Sequence, residues 1–328
     1  MNTVILLGAH VNALGIIRAL ANKDLEIIVM YYKKYDIAQV SKFVDKKFKI
    51  PDPNVNEKEF IRFLVRKSKR LQSALLIPTN DETAVVTSKY KELLSKYYIV
   101  STADCNNIRT FINKKKTYAL CEELNIPYPK TVKVGSIEEL EKIRDMISFP
   151  CLIRPEISHT FATDFNKKLF EVSNYSELNE KCLLCFKKGH PILIQEFIHG
   201  DATNLHENIY YYNSKGECVA EFFMQKIRQY PQKFGVCSVV RCHPRITEID
   251  FYSKKLLESV KYRGAVHVEY KKDPKDGKYK LLEVNPRFIR ANWLHTYCGV
   301  NIPYILYNDL VEKKDIRPKN CNKQRLLD

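Results

Sequence analysis

The chain has 328 residues, 45% hydrophobic and 28% charged, and 54 Lys and Arg against 38 Asp and Glu give a formal charge of +16. That balance excludes a disordered chain, and no apolar run approaches the ~20 residues of a spanning helix. With only 10 glycines and neither GxxxxGK[ST] nor GxGxxG, the familiar glycine-built phosphate loops are excluded as well.

Thr3 to Gly8 reads as a buried strand, Val11 to Ala21 as a helix and Leu25 to Tyr31 as a second buried strand. Such a unit predicts a parallel sheet. A helix with Phe60, Leu64 and Leu71 on one side leads to a strand at Ala74 to Ile77. Pro78-Thr-Asn-Asp-Glu-Thr83 leaves that strand and starts a helix, with Asn80 or Asp81 as N-cap, and Tyr98 to Ser101 adds a strand. Residues 1–105 are therefore expected to form an α/β, doubly wound N-terminal domain.

The texture changes after Asn106-Asn107. A helix from Lys114 to Leu124 stops at Asn125-Ile-Pro127, and a strand at Thr131 to Val134 precedes a helix capped by Ser136, with Glu139 at N3. A strand from Cys151 ends in Arg154-Pro155, Asn166 to Val172 reads as its hairpin partner, and Ser176 to Phe186 is helical. Pro191 to Ile198 forms a strand that runs into His199-Gly200-Asp201. Antiparallel strands are expected at Glu207 to Tyr212, Val219 to Lys226, Val236 to Arg241, Ala265 to Tyr270 and Lys280 to Val284, with a polar, mobile tail from Glu312.

The ten cysteines are scattered, and Cys182 and Cys185, the one CxxC, read as buried helical residues with no second pair to complete a zinc site. Together with the lack of a basic n-region before the first apolar run, this fits a reducing, cytoplasmic compartment. Lysine doublets such as Lys33-Lys34, Lys46-Lys47 and Lys187-Lys188 are spread along the chain. They suggest a solvated surface that attracts anionic ligands; nucleic-acid binding would concentrate them on a stripe or tail.

The strongest chemical signal lies near the end of the chain. Glu269 and Glu283 sit inside apolar strands, Ala265-Val-His-Val-Glu-Tyr270 and Lys280-Leu-Leu-Glu-Val-Asn-Pro-Arg287. A buried carboxylate without a partner is costly. With Asn285, the two glutamates make an all-oxygen set suited to Mg²⁺; the alternative is that each pairs with a lysine across the sheet.

These strands, with Leu76-Ile-Pro-Thr-Asn-Asp-Glu-Thr83, Asn113-Lys114 before Asn125-Ile-Pro127, Phe149-Pro-Cys-Leu-Ile-Arg154, Gln195-Glu-Phe-Ile-His-Gly200 and Cys298-Gly-Val-Asn-Ile-Pro303, follow one another in an order that resembles the ATP-grasp superfamily. Within it the chain is similar to the stand-alone carboxylate–amine ligases related to carbamoyl-phosphate synthase and D-aspartate ligase. The resemblance implies a pre-ATP-grasp domain followed by an α+β ATP-grasp domain of two subdomains, 106–193 and 194–328. It implies an ATP-dependent enzyme that phosphorylates a carboxylate and lets an amine attack the acyl phosphate.

Residue by residue, the resemblance makes Lys114 a phosphate contact, with Asn113 in place of the usual aspartate. Arg154 stands where the family has a second phosphate lysine. Gln195, Glu196, Phe197 and Ile198 match the adenine hinge, and Asp201 is the nearby acid for the ribose. Glu269, Glu283 and Asn285 match the Mg²⁺ ligands, with Mn²⁺ as a substitute, and Arg287 matches the arginine that steadies the acyl phosphate. Arg228, and less strongly Lys226, fall where relatives place basic groups near phosphate or substrate. The chain departs from the family in a glycine-free flap, Pro155 to Asp164, where Ser158, Thr160 and Thr163 would supply hydroxyl donors and Lys167, just beyond it, would supply charge. It departs again in Phe288-Ile-Arg-Ala-Asn-Trp293, where Arg290 and Trp293 would shape the substrate pocket. The implied partners are a small carboxylate and an amine, with no membrane and no nucleic acid, in an assembly compatible with a homodimer. The alternatives are a nucleotide-binding protein without turnover and, less favoured by the scattered lysines and buried glutamates, a basic nucleic-acid-binding protein.

Overall fold

The computed structural model describes residues 2–71, 73–155, 161, 164–320 and 326–327. Its first part alternates β1 (Asn2–Leu7), α1 (Val11–Leu20), β2 (Leu25–Tyr31), β3 (Lys46–Lys49), α2 (Glu57–Lys67), β4 (Leu75–Pro78), α3 (Asp81–Lys89) and β5 (Ile99–Val100). The strands pair in parallel in the order β3-β2-β1-β4-β5, as the strand–helix–strand pattern predicts. β3 was not expected. Its sequence, KKFK, has no buried face to announce it, and charge of this kind suits an edge strand. Asn80 is the cap of α3, accepting from the Thr83 N–H at 3.1 Å, which leaves the Asp81 carboxylate for another partner.

Two helices follow, α4 (Cys105–Ile112) and α5 (Lys114–Glu123). Asn106-Asn107 lies in the first turn of α4, where a break was expected, and Asn113 caps α5 by accepting from the Lys116 N–H at 3.1 Å. The next sheet is antiparallel, in the order β6-β9-β7-β8, from β6 (Thr131–Val134), β7 (Cys151–Pro155), β8 (Phe170–Val172) and β9 (Ile192–Glu196). Helices α6 (Ile137–Lys142) and α7 (Tyr175–Lys187) cover it. Cys182 and Cys185 are buried in its core, and burial pushes their thiols up to about 12 and about 11, as a packing role requires. The expected boundary at 193/194 falls inside β9, and α5 packs with the third sheet through Tyr118 and Cys121.

That third sheet is built from β10 (Leu205–Tyr212), β11 (Cys218–Tyr230), β12 (Val236–Cys242), β13 (Gly264–Lys272) and β14 (Tyr279–Asn285), with α8 (Thr247–Ser259) between β12 and β13. Helices α9 (Asn292–Tyr297) and α10 (Ile302–Leu310) complete this part. With β16 (Leu326–Leu327) at its edge, the order is β14-β13-β10-β11-β12-β16. Contrary to the expected mobile tail, β15 (Lys319–Asn320) pairs with β11 and β16 (Leu326–Leu327) with β12.

One core joins the first sheet to the third. Val4, Leu6 and Ile16 share it with Phe222, Leu294 and Ile302. Gly15 makes this approach feasible, because a Cβ there would lie 1.5 Å from Asn292 Oδ1. The Asn292 amide donates to the Asn12 carbonyl at 2.8 Å, and the Asn12 amide donates to the Thr79 and Phe288 carbonyls at 2.7 and 3.2 Å. These bonds tie the segment after β14 to α1. Gly15→Ala is expected to lower stability in urea unfolding by about 1–3 kcal/mol through overpacking. Adding Asn292→Ala should cost less in that background than in wild type, and strict additivity would contradict the contact.

Candidate active site

A cleft of about 850 Å³ opens where the three sheets meet. Strand register builds its centre. β13 and β14 place Glu269 opposite Glu283 and His267 opposite Asn285, while β10 and β13 place Glu207 opposite Glu269. Residues two apart on a strand share a face, so these side chains converge on one surface. Lys226 reaches it from β11, with its ammonium 3.0 Å from both Glu207 Oε1 and Glu269 Oε1. Lys114, at the start of α5, places its ammonium 3.2 Å from Glu283 Oε2.

The electrostatics follow from this packing. Burial and the neighbouring Glu283 and Glu207 carboxylates raise the Glu269 pKa, against the pull of Lys226. Burial opposes ionisation of Glu283 too, but the Lys114 and Arg154 cations outweigh it and hold that carboxyl well below its usual range. Burial and the Arg154 charge lower the Lys114 pKa, whereas Lys226 is raised because Glu269 and Glu207 overcome its burial.

Glu269, Glu283 and Asn285 come together as the sequence suggests, and their hard oxygen donors on adjacent strands fit Mg²⁺. Each glutamate also touches a buried lysine: Lys226 reaches Glu269 across the sheet, whereas Lys114 reaches Glu283 from a helix. Glu207 is a further acid of the cluster, and its Oε2 lies 3.2 Å from His267 Nε2. It carries the same signal as Glu269, an acid within a buried strand, but its place near the strand start hid it.

Arg154, at the end of β7, donates to Gln195 Oε1 at 2.9 Å, and the Gln195 amide donates to the hydroxyls of Tyr118 and Thr131, each at 3.0 Å. The Glu196 carboxylate accepts from Lys280 at 3.0 and 3.2 Å, and its backbone N–H donates to the Lys130 carbonyl at 2.8 Å. Any contact of the Glu196 backbone with a ligand is thereby confined to its carbonyl. The Ile198 carbonyl accepts from the Lys271 ammonium at 2.9 Å. Phe197 lines the cleft, edge-on to Phe234 at 6.1 Å. Asp201 also lines it, accepting at Oδ1 from the Thr203 N–H at 2.8 Å and hydroxyl at 2.6 Å.

Arg228 requires a correction. Bulges on either side of it in the β11–β12 ladder leave it exposed and outside the cleft lining, where Gln229 appears instead. Trp293 is likewise not among the lining residues, whereas Arg290 is. Ser158, Thr160 and Thr163 of the flap lie outside the described residues; Lys168, next to the anticipated Lys167, lines the cleft.

Arg287 is held from the first sheet. Its Nε and one terminal nitrogen donate to the two Asp81 carboxylate oxygens at 2.6 and 2.9 Å, and that nitrogen also reaches Asn285 Oδ1 at 3.1 Å. In the sequence Asp81 carries only the signal of a helix cap; its partner Arg287 is brought near by the fold. Asp81→Ala leaves a mostly buried guanidinium without its carboxylate. Because Asp81 is itself 36% exposed, the expected loss is about 2 kcal/mol, below that of a fully buried pair. Urea unfolding measures it, and an unchanged midpoint would show that Arg287 does not depend on Asp81.

No family model matches the sequence. Among curated proteins the chain is 28% identical to the D-aspartate ligase of Enterococcus faecium, over 94% of this chain and 77% of that one. It is 27% identical to the carbamoyl phosphate synthase large chain of a Thermoanaerobacter species, over 55% of this chain and 16% of the much longer relative. Among solved structures, the L-amino acid ligase from Bacillus licheniformis superposes with a TM-score of 0.73 at 16% identity, covering 97% of this chain and 78% of that one. The ADP complex of an N5-carboxyaminoimidazole ribonucleotide synthetase gives 0.71 at 13% identity, covering 98% and 80%. The chain is thus similar in sequence to the D-aspartate ligase over nearly its whole length and to the carbamoyl phosphate synthase large chain over about half of it, and it shares the fold of the L-amino acid ligase and the N5-carboxyaminoimidazole ribonucleotide synthetase.

Proposed function

We propose that the protein joins a carboxylate to an amine at the expense of ATP, through an acyl phosphate and with Mg²⁺. The observation that carries this reading is the facing pair Glu269 and Glu283, with Lys114 and Lys226 converging on it inside one cleft. In the first step a carboxylate oxygen of the substrate attacks the γ-phosphorus and ADP leaves. In the second the amine lone pair attacks the acyl carbon, the bond to the phosphate oxygen breaks, phosphate departs and the amine loses a proton. Lys114 and Arg154 hold the phosphates, and Arg287, aimed by Asp81, steadies the acyl phosphate. Adenine lies against Phe197 with hydrogen bonds at the Gln195–Ile198 hinge, and Asp201 faces the ribose. Glu269, Glu283 and Asn285 would hold the Mg²⁺, which would supply charge neutralisation for phosphoryl transfer.

The substrate end is read from a second cavity of about 470 Å³, which shares His10, Asp36, Cys237, Arg290 and Ala291 with the cleft. Arg290 has His10 Nε2 at 3.4 Å, and burial together with Arg290 lowers the His10 pKa, which keeps that ring neutral at pH 7. A guanidinium for a carboxylate and Asp36 for an ammonium suit an amino acid substrate, in line with the names of the D-aspartate ligase and L-amino acid ligase relatives.

Titration of ATP with and without Mg²⁺ tests the metal assignment. Glu283→Gln is expected to lose the Mg²⁺-dependent gain in affinity, about tenfold or more, and an undiminished gain would overturn the assignment. Phosphate release screened over D- and L-amino acids paired with amines tests turnover. Arg290→Gln is expected to raise the KM of the active amino acid about tenfold with the ATP KM nearly constant, and the reverse pattern would move the amino acid elsewhere.

A further inference from the structure

All three residues expected to hold the metal already give an oxygen to an internal donor. Glu269 Oε1 accepts from Lys226 at 3.0 Å and Glu283 Oε2 from Lys114 at 3.2 Å. The Asn285 amide occupies Glu283 Oε1 at 3.1 Å, and Arg287 occupies Asn285 Oδ1 at 3.1 Å. Lys226 and Lys114 are both buried, with side chains 7% and 8% exposed. The site is therefore charge-compensated by the protein itself. A bare divalent ion entering it would push Lys114 off Glu283 and Lys226 off Glu269, leaving the first ammonium buried without that anion and the second with Glu207 alone, an arrangement that low-dielectric surroundings penalise.

Phosphate oxygens change that balance, since they offer each displaced ammonium a new anionic partner in the same cleft. Glu207 supplies the remaining element. It holds Lys226 from the other side at 3.0 Å, so the ammonium can release Glu269 without losing its anchor. We propose that Lys226 is an internal counter-cation of Glu269, tethered by Glu207, which must be drawn onto the nucleotide phosphates before a divalent ion can take its place. Metal and nucleotide then enter as an interdependent pair, and Lys226 carries the coupling between them. This rests on the metal site proposed above.

The test is Mn²⁺ binding to the full chain, followed by the electron paramagnetic resonance of free Mn²⁺, without nucleotide and with a non-hydrolysable ATP analogue. Wild type should bind free Mn²⁺ at least tenfold more weakly than in the presence of the analogue. Lys226→Met should bind free Mn²⁺ at least tenfold more tightly than wild type and gain less from the analogue, while Lys226→Arg, which keeps the cation, should behave as wild type. Should Lys226→Met lose its fold because Glu207 and Glu269 then face each other uncompensated, Mn²⁺ should restore its native circular dichroism; failure to restore it overturns the proposal. Equal affinity of wild type and Lys226→Met for free Mn²⁺ overturns the proposal and leaves the metal site standing. Absence of Mn²⁺ binding under every condition overturns the metal site and the proposal together.

Discussion

The need to compensate carboxylates placed inside a sheet governs the architecture of the cleft. Glu207, Glu269 and Glu283 occupy neighbouring rungs of β10, β13 and β14. None could stay ionised there without a cation in reach. The cations come from elements distant in sequence: Lys226 from β11 and Lys114 from the start of α5. The position of α5 beneath β14 is therefore an electrostatic requirement as well as a packing one. Tyr118, one turn further along α5, fixes the same geometry by donating to the Leu282 carbonyl at 2.9 Å.

Much of this was legible in the sequence, and the limits have physical causes. Buried strands declared themselves by unbroken apolar runs, and two helix starts by Asn80 and Ser136; Asn113 and Asn174, which accept from a backbone N–H of their helices in the same way, were not anticipated as caps. Glu269 and Glu283 stood out because an acid in an apolar strand demands an explanation. Asp81 and Glu207 were missed because their importance lies in their partners, Arg287 and Lys226, which are brought near only by the fold. Arg228 was expected from the resemblance alone, which carries no information on the two bulges that flank it in the β11–β12 ladder. β3 and the paired tail are held by a neighbouring strand, and pairing of that kind leaves little trace in composition.

The glycine shortage finds a partial counterpart at the base of the flap. Phe161 is fully buried, with its ring 4.5 Å from Phe165, 5.5 Å from Phe170 and 5.3 Å from His190. His190 Nε2 lies 2.6 Å from Asp164 Oδ2. An aromatic cluster and one acid–imidazole contact anchor this end of the segment to the small sheet. The described end of the flap is thus fastened by bulky side chains, the opposite of what a glycine-rich hinge provides.

The two bonds between Arg287 and Asp81 span 206 positions of sequence. They make α3, and the first sheet it leaves, the reference frame against which the arginine is aimed, although Arg287 itself follows β14 of the third sheet. A chimaera that kept the whole cleft-forming part of the chain but borrowed its opening sheet from a relative would import a foreign alignment for this one guanidinium. The opening part of the chain is for that reason a component of the cleft, since it sets the aim of a guanidinium that lines it.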